Sequence, residues 1–174
     1  MLSGHVQGRF LALLSLALRP QRILEIGTFT GYSAICLASG LPPGGRLHTI
    51  EHNPGTAAVA RENFVQARVT DRIILHTGPA LEIIPDLDET WDLVFIDADK
   101  PGYISYFDLV LPRLRTGGVM LADNVLFHGQ VLEEEIRGKS ALAIQAFNEH
   151  VMKNASVETV LLTIRDGISM IVKK

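Results

Sequence analysis

Five short apolar runs recur along this chain, and a helical pattern separates each from the next. They are RILEI (22–26), RLHTIE (46–51), RIILHT (72–77), WDLVFID (91–97) and GVMLAD (118–123). Runs that are continuously apolar, rather than alternating, mark strands covered on both faces. Strand and helix alternating at this spacing predict an α/β fold, a doubly wound parallel sheet with helices on both faces. Asn53 followed by Pro54 supplies an N-cap and a proline at the first helical position, and Ala57, Ala60, Phe64 and Ala67 then share one face. Tyr103, Phe107, Val110, Leu111 and Leu114 form a similar face before the fifth strand, and Gly117 with Gly118 is expected to end that unit. Residues 157–164 and 167–172 read as two more strands, and Asp166 followed by Gly167 predicts a hairpin between them.

At 174 residues the chain is sized for one domain, expected to span 1–174, and it shows no repeat or linker. Residues 126–139 are polar and glycine-punctuated, with acids at 133–135, and read as a loop or lid before a helix over 140–153. The stretch FLALLSLAL (10–18) resembles the core of a signal peptide. It is too short to span a bilayer, which takes about 20 apolar residues, and no cleavage site follows. It reads as a short N-terminal helix within 1–20, buried on one face, in a cytoplasmic protein with no membrane partner. The net charge of −3 argues against nucleic acid as a partner. The single cysteine, Cys36, excludes an internal disulfide and argues against a thiolate zinc site.

In open sheets of this kind ligands bind beyond the carboxyl ends of the strands. The first strand ends in Glu25, Ile26, Gly27, Thr28, Phe29, Thr30 and Gly31, a turn whose two glycines let the backbone approach a ligand. Glu51 ends the second strand, where an acid can accept two hydrogen bonds from a ribose diol. Dinucleotide sites use G-x-G-x-x-G, but here Phe29 holds the second glycine position and no Walker lysine follows. A phosphate-free adenosine ligand therefore fits best, and S-adenosylmethionine is the common one. Glu25 has two readings: a contact to a cationic ligand, or a structural acid bonding loop amides.

The fourth strand ends in Asp97, with Asp99 and Lys100 just beyond, and the fifth ends in Asp123 and Asn124. Adjacent strand tips would bring Asp97, Asp123 and Asn124 together. Three oxygen ligands suit a hard cation, Mg²⁺, Mn²⁺ or Ca²⁺, rather than zinc. The competing reading is that strand-end acids cap the following helix. Asp99 stands open between outer ligand and cap.

The motifs LEIGTFTGYSAICLA, HTIEHNP, HTGPALEIIP, VFIDADKPGYISYF and GGVMLADNVLFHG, taken in order, resemble the cation-dependent class I O-methyltransferases, which include the catechol and caffeoyl-CoA enzymes. The resemblance covers nearly the whole chain. It implies a Rossmann-like seven-stranded sheet in the order 3-2-1-4-5-7-6 with strand seven antiparallel. It also implies that Glu25, Gly27, Thr28, Gly31 and Ser33 surround the methionine half of S-adenosylmethionine. Glu51 would take the ribose, His52 would sit beside the adenine, Gly78, Pro79 and Ala80 would line the adenine pocket, and Ser3 would add a further contact. Asp97, Asp123 and Asn124 would hold the cation, with Asp97 also near the cofactor. Lys100 would be the general base, with Asp97 beside it; taken alone, Lys100 reads as a solvated lysine at a helix start.

The implied reaction is methylation of a hydroxyl on a small catechol-like or hydroxycinnamoyl acceptor. The implied assembly is a homodimer. Many bacterial relatives carry Trp and then Arg where this chain has Phe127 and His128. His128 is thus a candidate acceptor contact, or else an exposed loop histidine. The segment before the first strand is shorter than the family usually carries, which implies either a more open acceptor pocket or a shortened chain. Competing readings are a hydroxylated tRNA uridine as acceptor, a NAD-dependent oxidoreductase, and a non-catalytic adenosine-ligand binding protein. Phe29 and the lack of a Tyr-x-x-x-Lys pair in the C-terminal half count against the oxidoreductase. A binding protein would have no need of the Asp-Asn metal set.

Overall fold

The strands and helices follow the predicted alternation in a computed structural model that describes residues 4–174. Ser3, an expected cofactor contact, lies outside the described residues. The strands are β1 (Arg22–Ile26), β2 (Arg46–Glu51), β3 (Ile73–Thr77), β4 (Trp91–Ile96), β5 (Leu114–Asp123), β6 (Val157–Leu162) and β7 (Ile168–Lys173). The helices are α1 (His5–Leu18), α2 (Tyr32–Ala38), α3 (Pro54–Gln66), α4 (Ala80–Ile83), α5 (Tyr103–Val110) and α6 (Lys139–Lys153). One seven-stranded sheet runs β3-β2-β1-β4-β5-β7-β6. Strands β1 to β5 pair in parallel, and β7 is antiparallel to both its neighbours. The order expected from the resemblance is the order found. Strand order reverses at β1, which lies between β2 and β4, and that is where such sheets open a ligand crevice.

Successive residues of each central strand feed opposite faces. Leu24, Val94, Ile96 and Met120 pack with Tyr103, Phe107, Ile144 and Phe147 on one side. Ile23, Leu93, Phe95 and Leu121 pack with Leu11, Ala34, Leu37 and Phe64 on the other. Both faces being covered explains why the runs are apolar throughout. Each large side chain fully buried in this way contributes roughly 1.5–3 kcal/mol.

Helix α1 buries only one stripe, Gln7, Gly8, Leu11 and Ser15, and leaves Leu13 and Leu16 exposed. It presses closely on α2, since a Cβ on Gly8 would meet the Tyr32 hydroxyl at 2.6 Å. Asn53 caps α3 as expected, its Oδ1 accepting from the amides of Gly55 and Thr56. Among the described residues no helix is long and apolar enough to cross a membrane.

Two sequence expectations need correction. Helix α5 stops at Val110, so Leu111 and Leu114 do not continue its face. Pro112 cannot continue an α-helix; Leu111–Arg113 tightens into a 3₁₀ turn and Leu114 opens β5. Gly117 and Gly118 therefore lie inside β5, close to where its register against β4 shifts between Trp91 and Leu93. Within the expected loop 126–139, Phe127–Leu132 forms 3₁₀ turns. The β6–β7 hairpin is present, but its turn centres on Arg165 and Asp166, with the Gly167 amide donating to Ile164 O at 3.0 Å.

Candidate active site

A cleft of about 830 Å³ opens beyond the carboxyl ends of β1, β2 and β4. Gly27, Glu51, His52, Gly78, Pro79, Ala80, Asp97, Lys100, Asn124 and His128, all singled out from sequence, line it. Glu25, Thr28, Gly31, Ser33 and Asp123 are not among its lining residues. All five are buried.

The glycine turn is fixed by what surrounds it. Gly27 has a φ of 99°, and a Cβ there would lie 2.0 Å from the Asp97 carbonyl oxygen. No other residue fits that conformation and that contact. The amides of Gly27 and Thr28 both donate to Ile50 O, at 3.0 and 3.2 Å, which ties the turn to β2. At the tip of β2, Glu51 accepts the Phe29 amide on Oε2 at 2.8 Å and the Asn53 amide on Oε1 at 2.9 Å. A carboxylate has about four acceptor sites, so two remain for a ligand diol.

Glu25 does not bond loop amides. Its Oε2 accepts from Thr49 Oγ1 at 2.5 Å, and Thr49 in turn meets Thr28 Oγ1 at 2.5 Å. Its Oε1 is buried with no hydrogen-bond partner. Burial pushes the Glu25 carboxyl up to about 8; the hydroxyls of Ser33 and Thr49 oppose this, and the charges of Asp97 and Glu51 add to it. A buried acid with an orphaned oxygen is short of a donor or a positive charge.

The second half of the cleft starts where β4 ends. Asp99 caps the 3₁₀ turn Lys100–Gly102 through the Gly102 amide at 3.1 Å, and its other oxygen accepts from the Tyr106 hydroxyl at 2.5 Å. Of the two readings of Asp99, the cap is the one seen. Lys100 is not a solvated lysine. Its side chain is 13% exposed, and Nζ donates to Tyr103 Oη at 2.5 Å, Asn124 Oδ1 at 3.2 Å and Asp97 Oδ1 at 3.4 Å. Tyr103 Oη passes the chain on to Asp123 O at 3.0 Å. Burial lowers the pKa of Lys100, while Asp97 and Asp123 pull it back up. Asp123 is held well above the usual carboxylate range by burial, with the charge of Asp97 adding to the effect. The Asp97 and Asn124 oxygens thus converge on one ammonium, and the buried Asp123 carboxylate acts on it through charge alone.

His128 has a φ of 56°, and its ring Nδ1 lies 3.7 Å from Asp166 Oδ2. Asp166 also accepts the His128 amide at 2.6 Å and Asn124 Nδ2 at 3.3 Å. Phe127 and Tyr106 supply apolar wall.

Sequence reasoning passed over Gln7, Tyr103, Tyr106 and Asp166. Asp166 stood in a recognised turn, but nothing local showed that the turn folds back against Asn124. Gln7 was marked only by being polar on an apolar helix. Tyr103 was read only as part of an apolar helix face, where its ring packs; the hydroxyls of Tyr103 and Tyr106 both reach site residues.

The donor set suits a hard cation. Among the described residues no three His, Cys, Asp or Glu side chains form a metal-binding group of their own. Were Asp97, Asp123 and Asn124 to hold a cation, the third donor would be a carboxamide; the Lys100 ammonium bridges Asp97 and Asn124.

The chain matches the family model described as O-methyltransferase over residues 1–174. A catechol O-methyltransferase of Niastella koreensis is 38% identical over 177 residues, covering 97% of this chain and 80% of that protein. A catechol O-methyltransferase of Mycobacterium tuberculosis is 40% identical over 169 residues, covering 94% and 77%. The crystal structure of an O-methyltransferase from Bacillus cereus in complex with SAH superposes with a TM-score of 0.94 at 36% identity, covering 99% of this chain and 82% of that one.

Proposed function

The chain belongs to the O-methyltransferase family, and from that premise we propose that it methylates one hydroxyl of a small catechol-like or hydroxycinnamoyl acceptor with the help of a divalent cation. It is an S-adenosylmethionine-dependent O-methyltransferase. The observation that carries the finer reading is the convergence of Asp97 and Asn124 oxygens on the Lys100 ammonium, next to the Gly27 turn. In this reading residues 1–174 work as one methyltransferase unit.

Asp97, Asp123 and Asn124 would hold the cation, Mg²⁺ first, with Mn²⁺ or Ca²⁺ as alternatives. A bound divalent cation favours the ionised form of a diol hydroxyl and so lowers its pKa towards neutrality. The protein's own residues supply the rest. Glu51 receives the donor's ribose hydroxyls on the acceptor sites its two amide bonds leave open. His52, Gly78, Pro79 and Ala80 enclose the adenine. Glu25, buried behind the glycine turn with one carboxyl oxygen unpartnered, would set a carboxyl near the donor's positive methionine end. Lys100 Nζ accepts the acceptor's hydroxyl proton, and burial, which disfavours its charged form, is what equips a lysine for that task. Tyr103 holds Nζ in place. The acceptor oxygen attacks the sulfonium methyl in line, so the O–C bond forms as the C–S bond breaks and the pair stays on sulfur. Alignment is the main lever, since methyl transfer leaves the protein little covalent work.

The test is transfer of labelled methyl to 3,4-dihydroxy aromatics and hydroxycinnamoyl thioesters, with and without excess EDTA. We expect methylation that EDTA abolishes and Mg²⁺ or Mn²⁺ restores. Full activity in EDTA would remove the cation from the reading.

A further inference from the structure

Asp123 is gripped by a residue from the far end of the chain. Gln7 lies near the start of α1 and is fully buried. Its Nε2 donates to Asp123 Oδ2 at 2.5 Å, and its Oε1 accepts from Arg165 Nη1 at 3.0 Å. The amide can face only this way: a guanidinium only donates and a carboxylate only accepts. The other oxygen of Asp123, Oδ1, accepts the Asn124 amide at 2.8 Å. Each oxygen therefore spends an acceptor site inside the protein, and the carboxylate plane has lost its rotation.

The rest of the α1 stripe packs without reference to Asp123: Gly8 lies against Tyr32, Leu11 enters the apolar core and Ser15 donates to Leu37 O. The helix is also set rigidly at this point. Gly8 presses on the Tyr32 ring, and the Arg165 side chain passes 3.5 Å from where a Cβ of Gly4 would stand. A buried amide with both ends satisfied, clamped by its neighbours and aimed at one carboxylate, orients that carboxylate.

We infer that Gln7 is a positioning residue for the cation cage, presenting Asp123 to the space shared with Asp97 and Asn124 in one fixed orientation. This rests on the cation reading above. Hydrogen-bond partners of ligating carboxylates typically contribute about 10- to 100-fold in metal affinity.

The experiment is a Mn²⁺ titration followed by electron paramagnetic resonance, on wild type, Gln7→Met and Gln7→Ala, with SAH affinity measured calorimetrically on the same samples. The Gln7→Ala variant covers the case in which the longer apolar chain does not fold. The expected result is a Mn²⁺ dissociation constant raised about tenfold or more, with SAH affinity unchanged. Unchanged Mn²⁺ affinity in a folded variant overturns the proposal. So does a parallel loss of Mn²⁺ and SAH affinity, which would make Gln7 a structural residue only. If wild type shows no saturable Mn²⁺ binding, the cation reading itself fails and takes this inference with it.

Discussion

The two halves of the cleft are built in opposite ways. The half at the tips of β1, β2 and β3 is made of three short segments shaped by their own backbone: a glycine turn, an acid held by two backbone amides, and the stretch Gly78 to Ala80. The half at the tips of β4 and β5 is assembled from all along the chain. Gln7, Asp97, Lys100, Tyr103, Asn124 and Asp166 reach it from four separate segments. The first half is fixed mainly by backbone, the second by a network of side chains. A backbone-built pocket tolerates side-chain changes around it, whereas a side-chain network fails when one member is lost.

That contrast can be broken by experiment. The largest effect expected is from Asp123→Ala. Methyl transfer should fall to background while calorimetric SAH affinity persists; loss of both would mean that the halves are not separable. Next is Glu51→Gln, which weakens hydrogen bonds to a charged acceptor worth about 1.5–3 kcal/mol. Affinity for the methyl donor should fall about tenfold or more, with Mn²⁺ affinity unchanged. Equal losses of both would erase the distinction from the other side.

The smallest effect concerns Glu25 and stability. Its carboxyl is raised from 4.5 to about 8 in the folded protein. Between those values the folded state keeps a proton that the unfolded chain has released, so stability falls as pH rises through that window. The melting temperature of the ligand-free protein should therefore drop from pH 6 to pH 9, and Glu25→Gln should flatten the slope. A slope that the substitution leaves untouched would assign the pH dependence elsewhere.

The same contrast governs what could be read from sequence. The strand runs, the Asn53 cap, the glycine turn and Glu51 were legible because their physics is local: periodicity, capping and positive φ act over a few residues. The strand tips carrying Asp97 and Asp123 were legible too, because fold class alone puts adjacent tips together. The end of α5 was misplaced because the apolar spacing of Leu111 and Leu114 continued a helical face that Pro112 interrupts. Glu25 kept two readings because only the packed structure shows that its partner is Thr49. Gln7 was invisible as a site residue, since no local rule pairs a glutamine with an aspartate 116 positions away.

The missing side chain of Gly27 has a consequence for how such an enzyme can diversify. With only hydrogen between that turn and the carbonyl of Asp97, the spacing between the tips of β1 and β4 is fixed by main-chain contact and does not depend on any side chain's rotamer. Loop residues 129–138, outside the side-chain network, can then change without altering the spacing of the two strand tips.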